Sequence, residues 1–301
     1  MVQHTEEKFV EANGIQLCYD TFGAERNPSL LLIMGLGSQM ISWPDEFCAQ
    51  LAQQGFWVIR FDNRDIGRST RLDEADVPNV LAVMMSVGMG AAPSVPYLLK
   101  DMAQDTVGLL DALDIEKAHV VGASMGGMIL QELLIRHPER VLTATSIMST
   151  TSDPSLPQPK PEAMAILTTP APIERDKYLD HAVGIWRVLH GDVFPIREEE
   201  IRTIAGRAYD RGLSPAGTAR QMAAIFASGS RREGLKDVKV PTLVIHGDID
   251  PLVPVEGGKD TAVHIPNAEL MIIEGMGHSL PLEVWPRIIK AIANHAKQIG
   301  D

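Results

Sequence analysis

The stretch Val120-Val121-Gly122-Ala123-Ser124-Met125-Gly126-Gly127-Met128 limits what this chain can fold into more than any other. Residues Ala118 to Val121 read as a buried strand, and Gly126 to Arg136 read as a helix. The Gly-x-Ser-x-Gly turn between them leaves room only for a sharp passage from strand to helix. Side chains at Gly122 and Gly126 would collide with the flanking strand or helix, and glycine tolerates the strained backbone. Such a turn pushes Ser124 off the sheet edge with its hydroxyl exposed. The helix start behind it offers free N–H groups and a partial positive charge, both suited to an oxyanion. A glycine-rich turn with an incidental serine is spelled the same way, so the motif has to be weighed with the rest of the chain.

Before the serine, Phe9-Val10-Glu11 and Ile15 to Thr21 flank Ala12-Asn13-Gly14, the Asn-Gly signal of a hairpin. Ser29 to Ile33 and Phe56 to Phe61 are apolar runs, as expected of strands covered on both faces. Helical patterns occupy Pro44 to Gln54 and Asp101 to Leu113. After it come the strands Val141 to Met148, Thr242 to Ile245 and Leu270 to Ile273, with helices near Val255 to Val263 and from Leu282 to Gln298. Strands alternating with helices predict an α/β fold with a mostly parallel, doubly wound sheet. The alternation stops near Thr150. Ser152 to Pro161 carries four prolines and reads as a linker. Arg175 to Leu189, Glu198 to Arg211 and Ala216 to Ala227 are then helical with no strand pattern between them. The predicted division is a core of residues 1–149 and 237–301 with a helical cap, or lid, of residues 150–236. Leu81 to Leu99 is rich in Met, Gly and Pro; Met84, Met85 and Met89 are expected to fill core or, with the cap, to wall an apolar pocket.

A length of 301 residues with 45% hydrophobic content is ample for one large domain with an insertion. The net charge of −12 argues against nucleic acid and against docking on anionic membranes. Met1 to Glu11 is polar and acidic, without a signal pattern, and no apolar run approaches a membrane span. Cys18 and Cys48 read as lone buried thiols, so the expected compartment is the reducing cytoplasm. No His-Glu-x-x-His or Cys/His cluster occurs, and neither metal nor cofactor is expected.

A serine hydroxyl attacks at neutral pH only if a neighbouring base takes its proton. That base should be a histidine oriented by a carboxylate, and in sheets of this kind the chain order is Ser, acid, His. His246-Gly247-Asp248-Ile249-Asp250-Pro251 follows one strand and Gly275-Met276-Gly277-His278-Ser279 follows the next. Both loops therefore fall at the same sheet edge as Ser124. Asp250 is the expected acid, Asp248 a turn residue, and His278 the base, with His246 a decoy too close to Asp250 in sequence. The oxyanion of a tetrahedral intermediate needs two N–H donors, expected at Met125 and, in the loop after the third strand, at Leu36.

Across nearly its whole length the chain resembles the α/β-hydrolase family. Trp43-Pro44-Asp45-Glu46-Phe47 and Val58-Ile59-Arg60-Phe61-Asp62-Asn63-Arg64-Asp65-Ile66-Gly67-Arg68-Ser69-Thr70 are similar to the aclacinomycin methylesterase branch. The resemblance implies a cofactor-free serine carboxylesterase with a helical cap and a triad of Ser124, Asp250 and His278. It also implies that Asp62, Arg64 and Ser69 brace the active-site floor. Many relatives have His-Gly ahead of the oxyanion donor, where this chain has Met34-Gly35. The expected partner is a small-molecule ester, and the chain is compatible with a monomer or a homodimer.

Other readings fare worse. Gly35-x-Gly37 followed by Asp62 mimics a dinucleotide fingerprint, but Met40 stands where the third glycine belongs. A non-catalytic ligand-binding relative would have no use for a filled triad. Dehalogenases and epoxide hydrolases of this fold use an aspartate in place of Ser124, and proline iminopeptidases usually carry Trp where Met125 stands. Lactonase, carbon–carbon hydrolase and perhydrolase chemistry use the same triad and stay open.

Overall fold

The structure, a computed structural model, describes residues 2–298. Strand β1 (Lys8–Ala12) turns into β2 (Ile15–Phe22) through Asn13 and Gly14, at φ 50° and 76°. Positive φ at both positions is what a tight two-residue hairpin turn needs and what Asn-Gly supplies. Then follow β3 (Ser29–Ile33), α1 (Asp45–Gln53), β4 (Trp57–Phe61), α2 (Val80–Gly88), α3 (Leu99–Ala112), β5 (Ala118–Ala123), α4 (Met125–Arg136) and β6 (Val141–Ile147). Five helices come next: α5 (Pro161–Thr168), α6 (Arg175–Leu189), α7 (Glu198–Arg211), α8 (Pro215–Ser228) and α9 (Arg232–Leu235). The chain closes with β7 (Thr242–Gly247), α10 (Val255–His264), β8 (Glu269–Ile273) and α11 (Trp285–Lys297).

The eight strands form one sheet in the order β1-β2-β4-β3-β5-β6-β7-β8. β1 and β2 run antiparallel to their neighbours, and β4, β3, β5, β6, β7 and β8 are mutually parallel. Successive residues of a strand face opposite sides. Leu31, Ile33 and Val120 accordingly join α3 and α4 in one apolar layer, while Leu30, Leu32, Val121 and Ile245 join α1 and α11 in the other. Both faces being covered explains why these strands are uninterrupted apolar runs.

Helices α5 and α9 lie where the sequence pattern showed none, because each is short and presents little periodicity; the linker expected over Ser152 to Pro161 is irregular as far as Lys160, and Pro161 opens α5. The methionine-rich stretch needs a larger correction. Residues 80–88 form α2, which packs on α8 through a single face, with Val83 buried and Met84 half-buried. Leu81, Met85 and Met89 are 59–76% exposed, so they are neither core filler nor walls of an enclosed pocket. Their i, i+4 spacing puts them on one helix face, and that face is turned outward.

Two helices of the inserted set are tied to the loop after β4. The Arg220 guanidinium of α8 makes two hydrogen bonds to Asp65, of 2.8 and 2.7 Å, with both side chains fully buried. Tyr97 adds its hydroxyl to the same carboxylate at 2.8 Å. Arg211, at the end of α7, donates to Asp62 at 2.9 Å and to Glu7 at 2.8 Å.

Candidate active site

A parallel sheet brings the loops that follow its strands to one edge, and in this chain that edge collects Gly35 after β3, Ser124 after β5, Asp250 after β7 and His278 after β8. Ser124 sits at φ 55° and ψ −119°, an unusual conformation for a residue with a side chain. The turn is as tight as its spelling requires. A Cβ on Gly122 would overlap the backbone of Gly126 and Gly127, and one on Gly126 would overlap the carbonyl of Ile33. The Ser124 carbonyl accepts from Gly127 N–H at 2.9 Å and Met128 N–H at 3.2 Å.

The structure brings the three predicted side chains together. His278 Nε2 lies 2.9 Å from Ser124 Oγ, and Nδ1 lies 2.8 Å from Asp250 Oδ2. A carboxylate can only accept, so Nδ1 carries the proton and Nε2 is left to accept from the serine hydroxyl. His278 as a residue is 6% exposed and Asp250 5%, so bulk water is largely kept from the relay.

Asp250 is shaped for this by its own loop. Its Oδ1 accepts the backbone N–H groups of Leu252 and Val253 at 2.9 and 2.8 Å, which leaves Oδ2 aimed at the ring. Burial pushes this carboxyl up, but His278 and His246 outweigh that effect by charge and hydrogen bonding, and it is held well below the usual carboxylate range. Asp248 faces solvent and accepts the Gly275 N–H at 2.7 Å, bracing the β7 and β8 loops against each other.

His246 is closer to the site than its sequence position suggested. It is fully buried, with Nε2 2.8 Å from the Val253 carbonyl and 3.5 Å from Asp250 Oδ2. No motif marks such a role, because the contact arises from the turn of the Asp250 loop back over the end of β7.

The His278 loop is clamped by the end of α6. His278 N–H donates to the Leu189 carbonyl at 2.7 Å, and Ser279 Oγ pairs with His190 Nδ1 at 3.0 Å. Trp186, on the same helix, is half-buried.

The expected oxyanion donors flank Ser124. Met125 is the first residue of α4 and has no preceding turn to bond. On the other side the β3 loop closes in: a Cβ on Gly35 would lie 3.1 Å from Ser124 Cβ and 3.6 Å from Oγ. The Gly35–Leu36 peptide is therefore beside the nucleophile. Asn63 Nδ2 holds this loop through the Met34 carbonyl at 2.9 Å.

The floor residues are all engaged. Asp62 accepts Met40 N–H at 2.7 Å, Arg64 grips Asp105 with bonds of 2.5 and 2.6 Å, and Ser69 joins the Asp62 carbonyl at 2.6 Å to the Cys18 N–H at 2.9 Å. Among the described residues no group of three or more His, Cys, Asp or Glu is arranged to hold a metal ion, and no helix is long and apolar enough to cross a membrane.

The family described as alpha/beta hydrolase fold matches residues 28–283. The chain is 32% identical to a rhodomycin D methylesterase of Streptomyces peucetius, over 96% of this chain and 98% of that one. A second rhodomycin D methylesterase, from another Streptomyces, shows the same identity and coverage. Among solved structures, the chain resembles a meta-cleavage product hydrolase from Pseudomonas fluorescens, with a TM-score of 0.76 and 20% identity over 97% of both chains. It also resembles an enol-lactonase from Burkholderia xenovorans, with a TM-score of 0.72 and 22% identity over 96% of this chain and 99% of that one. At these identities the two structures speak for the fold.

Proposed function

The chain belongs to the α/β-hydrolase family, and on that premise we propose that it is a serine carboxylic-ester hydrolase working through Ser124, His278 and Asp250. The observation that carries this reading is the single imidazole spanning a serine hydroxyl and a buried carboxylate, at 2.9 and 2.8 Å. His278 takes the Ser124 proton as Oγ attacks the ester carbonyl, and Asp250 stabilises the imidazolium that forms. The N–H groups of Leu36 and Met125 hold the oxyanion. His278 then protonates the departing alkoxide, leaving an acyl group on Ser124. A water deprotonated by the same ring attacks that acyl group, and collapse of the second oxyanion returns the proton to Ser124 and frees the acid.

The methylesterase relatives favour carboxylic methyl esters, with methanol as the alcohol released, and a small-molecule substrate as the partner. The helices of residues 150–236 act as the cap over the sheet edge. Cys18 and Cys48 are both buried free thiols, which suits the cytoplasm as the working compartment.

The test is turnover of aryl and methyl esters of graded acyl length, with lactones in the same panel. Ser124→Ala is expected to lower ester kcat by about 10⁴-fold or more while the chain stays folded. Turnover of the Ser124→Ala protein at the parent rate would rule the scheme out.

A further inference from the structure

Residues Gly35 to Ser38 form a β-turn, closed by Ser38 N–H donating to the Gly35 carbonyl at 3.3 Å. Its third residue, Gly37, lies at φ +65°, the positive value a type II turn requires there. The Gly35 carbonyl is thus engaged inside the turn. In a trans peptide the N–H points opposite to the carbonyl, so the Leu36 N–H faces away from the turn. The central peptide of the turn, Leu36 to Gly37, is the one whose rotation interconverts type I and type II.

That central peptide is held from outside the sheet. Gly37 N–H donates to Gln221 Oε1 at 2.9 Å, and Gln221 Nε2 donates to the Arg64 carbonyl at 2.9 Å. One orientation of the amide satisfies both partners, since its oxygen meets a donor and its nitrogen an acceptor. Gln221 is fully buried, next in sequence to Arg220 and its ion pair with Asp65, so the side chain stands on an anchored helix. Thr218, one turn earlier on α8, fills the space beside Gly37: a Cβ there would lie 3.0 Å from its methyl.

We infer that Gln221 is a positioning residue, whose amide fixes the Gly35–Ser38 turn so that the Leu36 N–H is presented to the developing oxyanion. One end of the turn abuts Ser124 and the other is fastened to α8, so the helix outside the sheet sets the geometry of a donor inside the site. Without the amide the Leu36–Gly37 peptide keeps only the long Ser38 hydroxyl bond to the Leu36 carbonyl, at 3.4 Å, and as it rotates the adjoining Leu36 N–H shifts with it. Donor alignment counts most when charge sits on the oxygen, so loss of Gln221 weakens the transition state more than the bound ester. The inference rests on the esterase reading above for its catalytic consequence, but not for the turn itself.

The test uses Gln221→Met, of similar length with no hydrogen-bonding amide, and Gln221→Glu, which keeps an acceptor for Gly37 N–H. A trifluoromethyl ketone, which forms a tetrahedral oxyanion on Ser124, is compared with an ether analogue of the substrate, which forms none. Gln221→Met is expected to lower kcat and ketone affinity together by about tenfold or more, within the range for a weakened oxyanion donor. Ether affinity should hold within about twofold, and Gln221→Glu should lose less than Gln221→Met. Hydrogen exchange at the Gly37 amide should speed up in Gln221→Met while exchange in the sheet stays at the parent rate. Unchanged ketone affinity in Gln221→Met, or an equal loss of ether affinity, overturns the inference. If the parent itself neither hydrolyses esters nor binds the ketone, the esterase reading fails. The Gly37 exchange rate then decides the positioning of the turn, and an unchanged rate refutes it.

Discussion

The backbone N–H of His278 donates to the carbonyl of Leu189 at 2.7 Å, so the loop bearing the imidazole is seated against the last turn of α6. Gly277 makes this fit possible by close approach. A Cβ there would come within 2.6 Å of the His190 carbonyl carbon and nearer still to the carbonyl oxygens of Leu189 and His190. These are backbone atoms and cannot swing aside.

Gly277→Ala is therefore expected to displace the His278 loop and lower kcat by about 10²-fold, the usual consequence of a misplacement near 1 Å. Steady-state kinetics on an aryl ester checks this. A kcat within twofold of the parent would mean that the clamp does not set the alignment of the ring.

Asp250→Asn removes the orienting carboxylate and favours the wrong imidazole tautomer, with an expected loss of about 10⁴ in kcat. Asp248→Asn should cost little, because that side chain only braces Gly275. The same aspartate governs acid stability. Its folded carboxyl lies below its unfolded value of about 3.9, so its contribution is complete above that pH and drains away as pH falls further. Urea unfolding from pH 5 to pH 3 should show a steeper loss of stability in the parent than in Asp250→Asn. Parallel slopes would contradict the assignment.

Arg220→Met leaves Asp65 buried without its counter-charge. Breaking such a pair costs about 3–5 kcal/mol, whereas replacing both partners by apolar residues is often close to neutral. The expected order of stability in denaturant titrations is parent, then Arg220→Met with Asp65→Leu, then Arg220→Met alone. A single variant as stable as the parent would show that the pair contributes nothing.

Burial pushes the thiols of Cys18 and Cys48 up to about 12, and the carboxylates of Asp62 and Glu7 add to the effect at Cys18. At pH 8 neither should react with an aromatic disulfide reagent in the folded protein, and both should react once the chain is unfolded. Rapid labelling of the native protein would place at least one of them outside the core.

Much of this was legible in the sequence because the responsible residues act locally. Ser29 to Ile33 is a run that only a doubly covered strand needs, and Asn13-Gly14 names its own turn. Gly122, Ser124 and Gly126 announce a strand-to-helix elbow by spacing alone. The contacts that hold the site together were not legible, since each joins residues far apart in the chain. Gln221 meets Gly37 across 184 positions, and Arg220 meets Asp65 across 155. The outward face of α2 was misread for a different reason. Hydrophobicity counts apolar side chains but carries no record of whether a neighbour arrives to cover them, and Met85 and Met89 receive none that hides them.

Asp62 and Asp65, three residues apart on one loop, receive arginines from two successive helices of the insertion. That has a consequence for anyone building chimeras. Grafting residues 150–236 of another family member onto this sheet would leave both buried carboxylates without a counter-charge unless the donor brings matching cations at the positions of Arg211 and Arg220. The exchangeable unit is thus the helical segment together with the short loop beneath it, and recombination breakpoints should be drawn to keep the two from the same parent.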